Sequence, residues 1–391
     1  MFAKILGGIE VLRRIEINNY KMFRNFEMDF SAGISLICGP NGSGKSALRE
    51  VIYTLGNFLA TPDATERVAH SVMESFPAEV FCRWLPQESG FNDIEINVEI
   101  GMAHEWFRYC LTVRHHFHKH LCRVQEETLD VCTIADKKQI FNFSNGNLKI
   151  YTDDNRPVEL SGNWDISGLV TGSRNNSRIR EFGAMIAKIY AVHFVPSDIK
   201  QDFIKGSSTI GRHGEHFSAW FFHNANKQLE KQLWVMEQCK NFIPGFIAVN
   251  SPQSGDAHIT KIRVNYKGSN YDIKIGELSD GQKVLFALYS LLANVPYGST
   301  LLIDEPENFI APGELQPWLD AVNDSWEERN IQFLIITHNP KTLNWYHKNA
   351  CIFSVVDEPP RIEAETNSDD SEETLYEKLS EMEWVSSGTK S

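Results

Sequence analysis

The chain has 391 residues, a formal net charge of −13, 42% hydrophobic residues, and 25 Gly, 15 Pro and 7 Cys. That length suits one large domain or two ordinary ones, and the composition excludes collagen-like, fully disordered and small disulfide-stapled classes. No apolar run approaches the ~20 residues that cross a bilayer, no secretory leader pattern opens the chain, and the scattered cysteines lack framework spacing. The expectation is a cytoplasmic protein with reduced thiols and no membrane contact.

Taken in chain order, residues 12–30 hold two alternating runs that suit a β-hairpin or adjacent strands. A short apolar strand, Ile34–Cys38, runs into a glycine-rich turn, and a helical pattern follows from Ala47 to about Leu59. From 80 to 151 the period is mostly two, the mark of an antiparallel sheet lobe. Helical spacing returns over Ser177–Ile189, followed by a strand-like Tyr190–Val195 that ends at Pro196. A helical arm is expected over about 205–250, with its apolar spacing clearest in 216–242. Another strand pair is expected over 259–275.

The chain then alternates a helix near Gln282–Ala293, a strand at Leu301–Asp304, a helix at Glu314–Glu328 and a strand at Phe333–Thr337. That alternation points to a parallel sheet with crossover helices. The span 357–391 carries 11 acidic residues against three basic ones and reads as a flexible tail with one amphipathic stretch, Glu373–Glu383. The fold class is α/β, with residues 1–356 as one head.

Gly39-Pro40-Asn41-Gly42-Ser43-Gly44-Lys45-Ser46 satisfies the phosphate-loop pattern between a strand and a helix. The glycines let backbone N–H groups curl round a phosphate, Lys45 supplies a cation and Ser46 a hydroxyl ligand for Mg²⁺. ATP with Mg²⁺ is therefore the expected ligand. Leu301–Asp304 is an apolar strand ending in Asp304-Glu305, which would bring Asp304 to the Mg²⁺ shell and Glu305 to the attacking water.

Leu278-Ser279-Asp280-Gly281-Gln282 opens a predicted helix and makes a second anion site, or Ser279 is simply its N-cap. His338 follows a buried strand. Arg114-His115-His116-Phe117-His118-Lys119-His120 would place His116, His118 and His120 on one strand face, where imidazoles could meet a metal. Solvated strand surface is the plainer reading of that run.

The order of these motifs resembles the ABC-type ATPase heads of the RecF and SMC group. In that group the signature serine and glycine, here Ser279 and Gly281, clamp the γ-phosphate held by an opposing subunit, and a switch histidine, here His338, senses it. The departure from the usual Leu-Ser-Gly-Gly-Gln is Asp280. The Ile15-x-Ile17-x-Asn19-Tyr20-Lys21-x-Phe23 run resembles the group's opening strand, which implies that Lys21 and Arg24 lie near the nucleotide. Gln87 and Gln201 are candidates for the Q-loop glutamine.

Asp280, the Asp304-Glu-Pro-Glu-Asn308 run and Gly214-x-x-Phe217 make the overcoming-lysogenisation-defect (OLD-like) ATPases the nearer resemblance. With about 80 residues between Pro196 and Leu278, a long coiled coil is not expected, and the 53 residues after His338 are fewer than a Toprim nuclease needs. The resemblance implies head-to-head pairing with a second copy. It also implies an effector protein encoded nearby in an anti-phage defence system, or DNA in a RecF-like repair role.

Overall fold

The computed structural model describes residues 11–61, 69–85, 90–119, 121–225, 227–339, 342–343, 346, 350–357 and 359–367. The chain divides into two compact units. One comprises Met1–Tyr190, Gly298–Thr300 and Leu334–Ser391, the other Ala191–Tyr297 and Leu301–Phe333.

The first unit is built on β1 (Val11–Asn18), β2 (Phe26–Asp29), β4 (Phe91–Gly101), β5 (Glu105–His116), β6 (Leu121–Thr133), β7 (Lys137–Ser144), β8 (Asn147–Tyr151) and β9 (Pro157–Ser161). They form one antiparallel sheet in the order β2-β1-β4-β5-β6-β7-β8-β9. Alternation sets the register: Ile15 faces Met28 and Val98, and Ile17 faces Phe26 and Ile96, so these apolar side chains line one buried face. Helix α4 (Ser177–Ala187) is capped by Asn176 Oδ1, which accepts from Arg178 N at 2.7 Å and Ile179 N at 3.1 Å. Its Phe182 ring packs 5.6 Å from those of Phe107 and Tyr109.

Beneath this layer Glu127 of β6 is fully buried. Its carboxylate accepts from Tyr109 Oη at 2.8 Å, Ser167 Oγ at 2.5 Å and Gly168 N at 2.8 Å. Burial pushes its pKa up to about 7 against the opposing pull of those three donors.

The same unit holds β3 (Ile34–Cys38), buried at every position, with helix α1 (Lys45–Phe58) following it. Strand β19 (Ala350–Val356) pairs with β3 in parallel, Ala350 opposite Leu36, and β20 (Arg361–Thr366) pairs antiparallel with β19. On the other side of β3 comes β18 (Gln332–Ile336), whose residues from Leu334 belong to this unit. The expected boundary at 356/357 therefore falls in a hairpin turn. The acidic composition concealed β20, where Ile362 is buried between charged neighbours. The stretch Glu373–Glu383 lies outside the described residues.

The second unit carries β17 (Thr300–Asp304), buried throughout, between β10 (Ile189–Val192) and β18. The arm region forms α5 (Phe217–Ala225) and α6 (Leu229–Phe242), joined by α7 (Asp280–Asn294) and α8 (Pro312–Arg329). Phe217 and Phe221 of α5 set their rings 5.2 and 5.0 Å from Phe286 of α7, so the arm aromatics serve mainly as core. Strands β12 (Phe246–Asn250), β15 (Lys261–Tyr266) and β16 (Ser269–Lys274) make a small antiparallel sheet. No helix among the described residues is long and apolar enough to cross a membrane.

Candidate functional site

In the first unit the phosphate loop joins β3 to α1, as its sequence predicted. Pro40 O accepts from Ser43 N at 3.2 Å, which curls the loop, and Asn41 and Gly42 are exposed at its tip while Ser43 is buried. Gly44 is the N-cap of α1 with φ +88, and no side chain caps this helix end or places an acid in its first turn. A Cβ at Gly44 would stand 2.1 Å from the Ile362 Cδ1 tip of β20, which would have to turn aside, and the left-handed backbone itself calls for glycine.

An α-helix N-terminus without a compensating carboxylate attracts anions through its N–H groups and dipole. Lys45 is 6% exposed, and its Nζ donates to Gly39 O at 2.9 Å and Pro40 O at 2.8 Å, folding the ammonium back over the loop. Ser46 is exposed at the next position. These groups fit a nucleotide phosphate, and Ser46 offers the oxygen a bound Mg²⁺ needs.

His338 is exposed just past β18. The preceding residue ties it to the same loop's root, because Thr337 N donates to Ile37 O at 3.2 Å, two residues before Gly39. Lys21 differs from expectation in one respect. Its Nζ bonds Glu50 Oε2 of α1 at 2.5 Å, and Tyr20 Oη also donates to Glu50 at 3.1 Å. The ammonium is thus occupied by a carboxylate one turn beyond the loop. Arg24 NH1 reaches Pro359 O at 3.5 Å.

The second unit collects the other motifs. Asp304 ends β17 and is buried, and the next residue, Glu305, takes φ +49. Left-handed backbone at a non-glycine residue costs of order 1 kcal/mol and marks sites where the surroundings dictate geometry. Asn308 holds Glu305 from behind, its N–H donating to Glu305 O at 3.1 Å and its Nδ2 to Oε2 at 2.7 Å.

Ser279 is the N-cap of α7 in a full capping box. Its Oγ accepts from Gln282 N at 3.3 Å, and its N–H donates to Gln282 Oε1 at 3.1 Å. The capping role expected as the plainer alternative is therefore real, and both Ser279 and Asp280 remain exposed. Asp304 and Ser46, the two residues that the sequence assigned to Mg²⁺, belong to different units.

Of the His-rich run, His120 lies outside the described residues, and His116 and His118 do not share a strand. Strand β5 ends at His116, and Phe117–Lys119 is a 3₁₀ turn, which breaks the alternation. His115 is buried with its ring 5.2 Å from those of Phe81 and Phe117. No group of three metal-ligating side chains occurs among the described residues. Gln87 lies outside the described residues, and Gln201 sits in the second unit, its carbonyl accepting from Thr260 N at 2.8 Å.

Residues 11–169 match a family model described as an AAA ATPase domain, and residues 164–344 match one described as an AAA domain, putative AbiEii toxin, Type IV TA system. Together the two matches run over residues 11–344, and each model covers less than half of the chain. The chain is similar to the DNA replication and repair protein RecF of Cytophaga hutchinsonii, 44% identical over 55 residues, which cover 13% of this chain and 15% of that one. It is similar to the DNA double-strand break repair Rad50 ATPase of Nanoarchaeum equitans, 46% identical over 43 residues, or 11% and 6% of the two chains. A third likeness is to the chromosome partition protein Smc of Methanocaldococcus jannaschii, 31% identical over 87 residues, or 21% and 7%. The match spans no more than 15% of these relatives' own length.

Among solved structures, an Smc head domain derived from Pyrococcus furiosus is 14% identical, with 92% of this chain and 97% of that one covered and a TM-score of 0.48. The SMC head domain of Thermotoga maritima is 15% identical over 91% and 98%, with a TM-score of 0.39.

His193 is the residue that sequence reasoning passed over. It lies just beyond β10, and its Nδ1 stands 3.0 Å from the carbonyl oxygen of Asp304, 111 residues away. The only local signal was an imidazole inside the apolar run Tyr190-Ala-Val-His-Phe-Val195.

Proposed function

We propose that the chain hydrolyses ATP and works as a nucleotide-gated pair. Mg·ATP binds at Lys45 and Ser46, Asp304 completes the metal's oxygen ligands, Glu305 polarises the attacking water and His338 senses the γ-phosphate. Ser279 and the Gly281 backbone of a second copy close over that phosphate. The observation that carries this reading is the start of α7. It is an exposed helix N-terminus, distinct from that of α1 in the phosphate loop, and its serine cap is satisfied within its own chain. ATP can drive pairing only by binding the closed pair better than the open one.

Within that mechanism the pair regulates an effector, a nuclease or toxin, in an OLD-like anti-phage defence system. The description matched over 164–344 names a toxin of a Type IV TA system, which is the link to a toxin in this reading. A second reading, an ATP-gated clamp on DNA in repair, draws on the likeness to RecF and Rad50. The net charge of −13 speaks against indiscriminate polyanion binding, which neither reading requires.

Sedimentation of the Glu305→Gln variant with and without Mg·ATP tests the pairing. A monomer-to-dimer shift that needs ATP is expected, and a mass that ignores ATP rejects it. Purification with the neighbouring gene product then separates the settings. A co-purifying nuclease with DNA-independent ATPase supports defence, whereas ATPase stimulated by DNA alone supports repair.

A further inference from the structure

We propose that His193 is a positioning residue for Glu305, acting through the Asp304–Glu305 peptide. A carbonyl oxygen can only accept, so the 3.0 Å contact requires the hydrogen on His193 Nδ1. The ring is itself held in place. His193 N donates to Arg212 O at 3.0 Å, Val195 N donates to His213 O at 3.1 Å, and the His213 ring meets it edge-on with centroids 5.9 Å apart. These contacts make His193 a fixed donor aimed at one carbonyl.

That carbonyl belongs to the peptide plane on which Glu305 turns. Asp304 is fixed by β17, so the orientation of the plane decides where the Glu305 backbone goes next. Glu305 sits at φ +49, a conformation it would leave if the plane could flip. Asn308 secures the far side of Glu305 through its backbone and its carboxylate. His193 secures the near side. The two clamps together hold a strained residue in the orientation that points its carboxylate, and losing either donor lets the strain relax. A displacement of about 1 Å in a group that must meet a water costs on the order of 100-fold in rate.

The inference rests on the reading of Glu305 as the water-polarising group, and the experiment separates the two. ATPase kinetics and ATP affinity are measured for His193→Ala, His193→Asn, His193→Gln and Glu305→Gln. An Asn amide nitrogen is as many bonds from Cα as His Nδ1, whereas a Gln amide reaches one atom further. His193→Ala should lower kcat about 10- to 100-fold with ATP affinity within about twofold of wild type. His193→Asn should recover most of that loss and His193→Gln should not. Combining His193→Ala with Glu305→Gln should be no slower than Glu305→Gln alone, because one acts through the other.

Wild-type kcat in His193→Ala, or equal losses in the Asn and Gln variants, overturns the proposal. If His193→Ala does not fold, the Asn-against-Gln comparison decides alone. Wild-type turnover in Glu305→Gln would instead remove the Glu305 reading, whatever His193 does.

Discussion

A Cβ placed on Gly281 would lie 2.6 Å from the carbonyl oxygen of Phe309. The start of the signature helix therefore rests against the turn that leaves Glu305, within one unit of one chain. Phe309 takes φ +72 and is 54% exposed, so this turn is already strained. Gly281 is thus required for close approach, whatever it does for an opposing phosphate.

Gly281→Ala should push the Phe309 turn outward and disturb Glu305 through Asn308. We expect a loss of about 1–3 kcal/mol in stability, measured by denaturant unfolding, together with slower turnover. Unchanged stability and turnover would mean that the turn yields freely.

Lys45→Ala removes the cation of the phosphate loop and its two bonds to Gly39 O and Pro40 O. ATP affinity should fall at least about 100-fold, since charge-assisted contacts to the phosphates are lost in a largely buried site. A calorimetric titration checks this, and near-normal affinity would contradict the loop assignment.

The motifs of this site were legible because each is local. The phosphate loop, the Asp304-Glu305 strand end and the Ser279 cap are each read from a handful of consecutive residues with a strand or helix beside them. Contacts made by distant residues were not legible. The pairing of Lys21 with Glu50 depends on β1 and α1 meeting in space, and nothing in either segment announces it. Ile362 reaches Gly44 from a stretch whose composition reads as a solvated tail. His116 and His118 failed to share a strand because a 3₁₀ turn intervened, a boundary that side-chain alternation cannot reveal. His193 required the register between β10 and β17, which sequence periodicity does not specify.

Glu127 supplies a pH signature. Its folded pKa is raised from 4.5 to about 7, chiefly by burial. In the folded state the proton is retained over a range where the unfolded chain has released it, so the stabilising effect is full below about pH 4.5 and is lost as pH rises to about 7. The swing is on the order of 3 kcal/mol. Glu127→Gln, which keeps an acceptor for Gly168 N, should flatten this slope. Its stability relative to wild type should therefore climb between pH 5 and 7 and level off above. Parallel pH profiles for the two proteins would show that the carboxyl is already ionised in the fold.

The last prediction separates a composite site from a self-contained one, and the capping box dictates the choice of variant. Ser279→Arg would remove a cap worth about 1 kcal/mol as well as blocking the surface, so a loss of activity would be ambiguous. Ser279→Asp keeps a capping oxygen for Gln282 N while placing a second carboxylate beside Asp280 at the exposed start of α7. If α7 closes on an opposing γ-phosphate, that added charge repels it, and the variant should bind ATP normally yet neither pair nor turn over. Mixing it with Lys45→Ala should then rebuild one intact site per mixed pair, from the Lys45 loop of the first protein and the Ser279 of the second. Partial recovery of ATPase in the mixture is expected. Full activity in Ser279→Asp alone would leave Ser279 as a helix cap only and make each chain a self-sufficient ATPase.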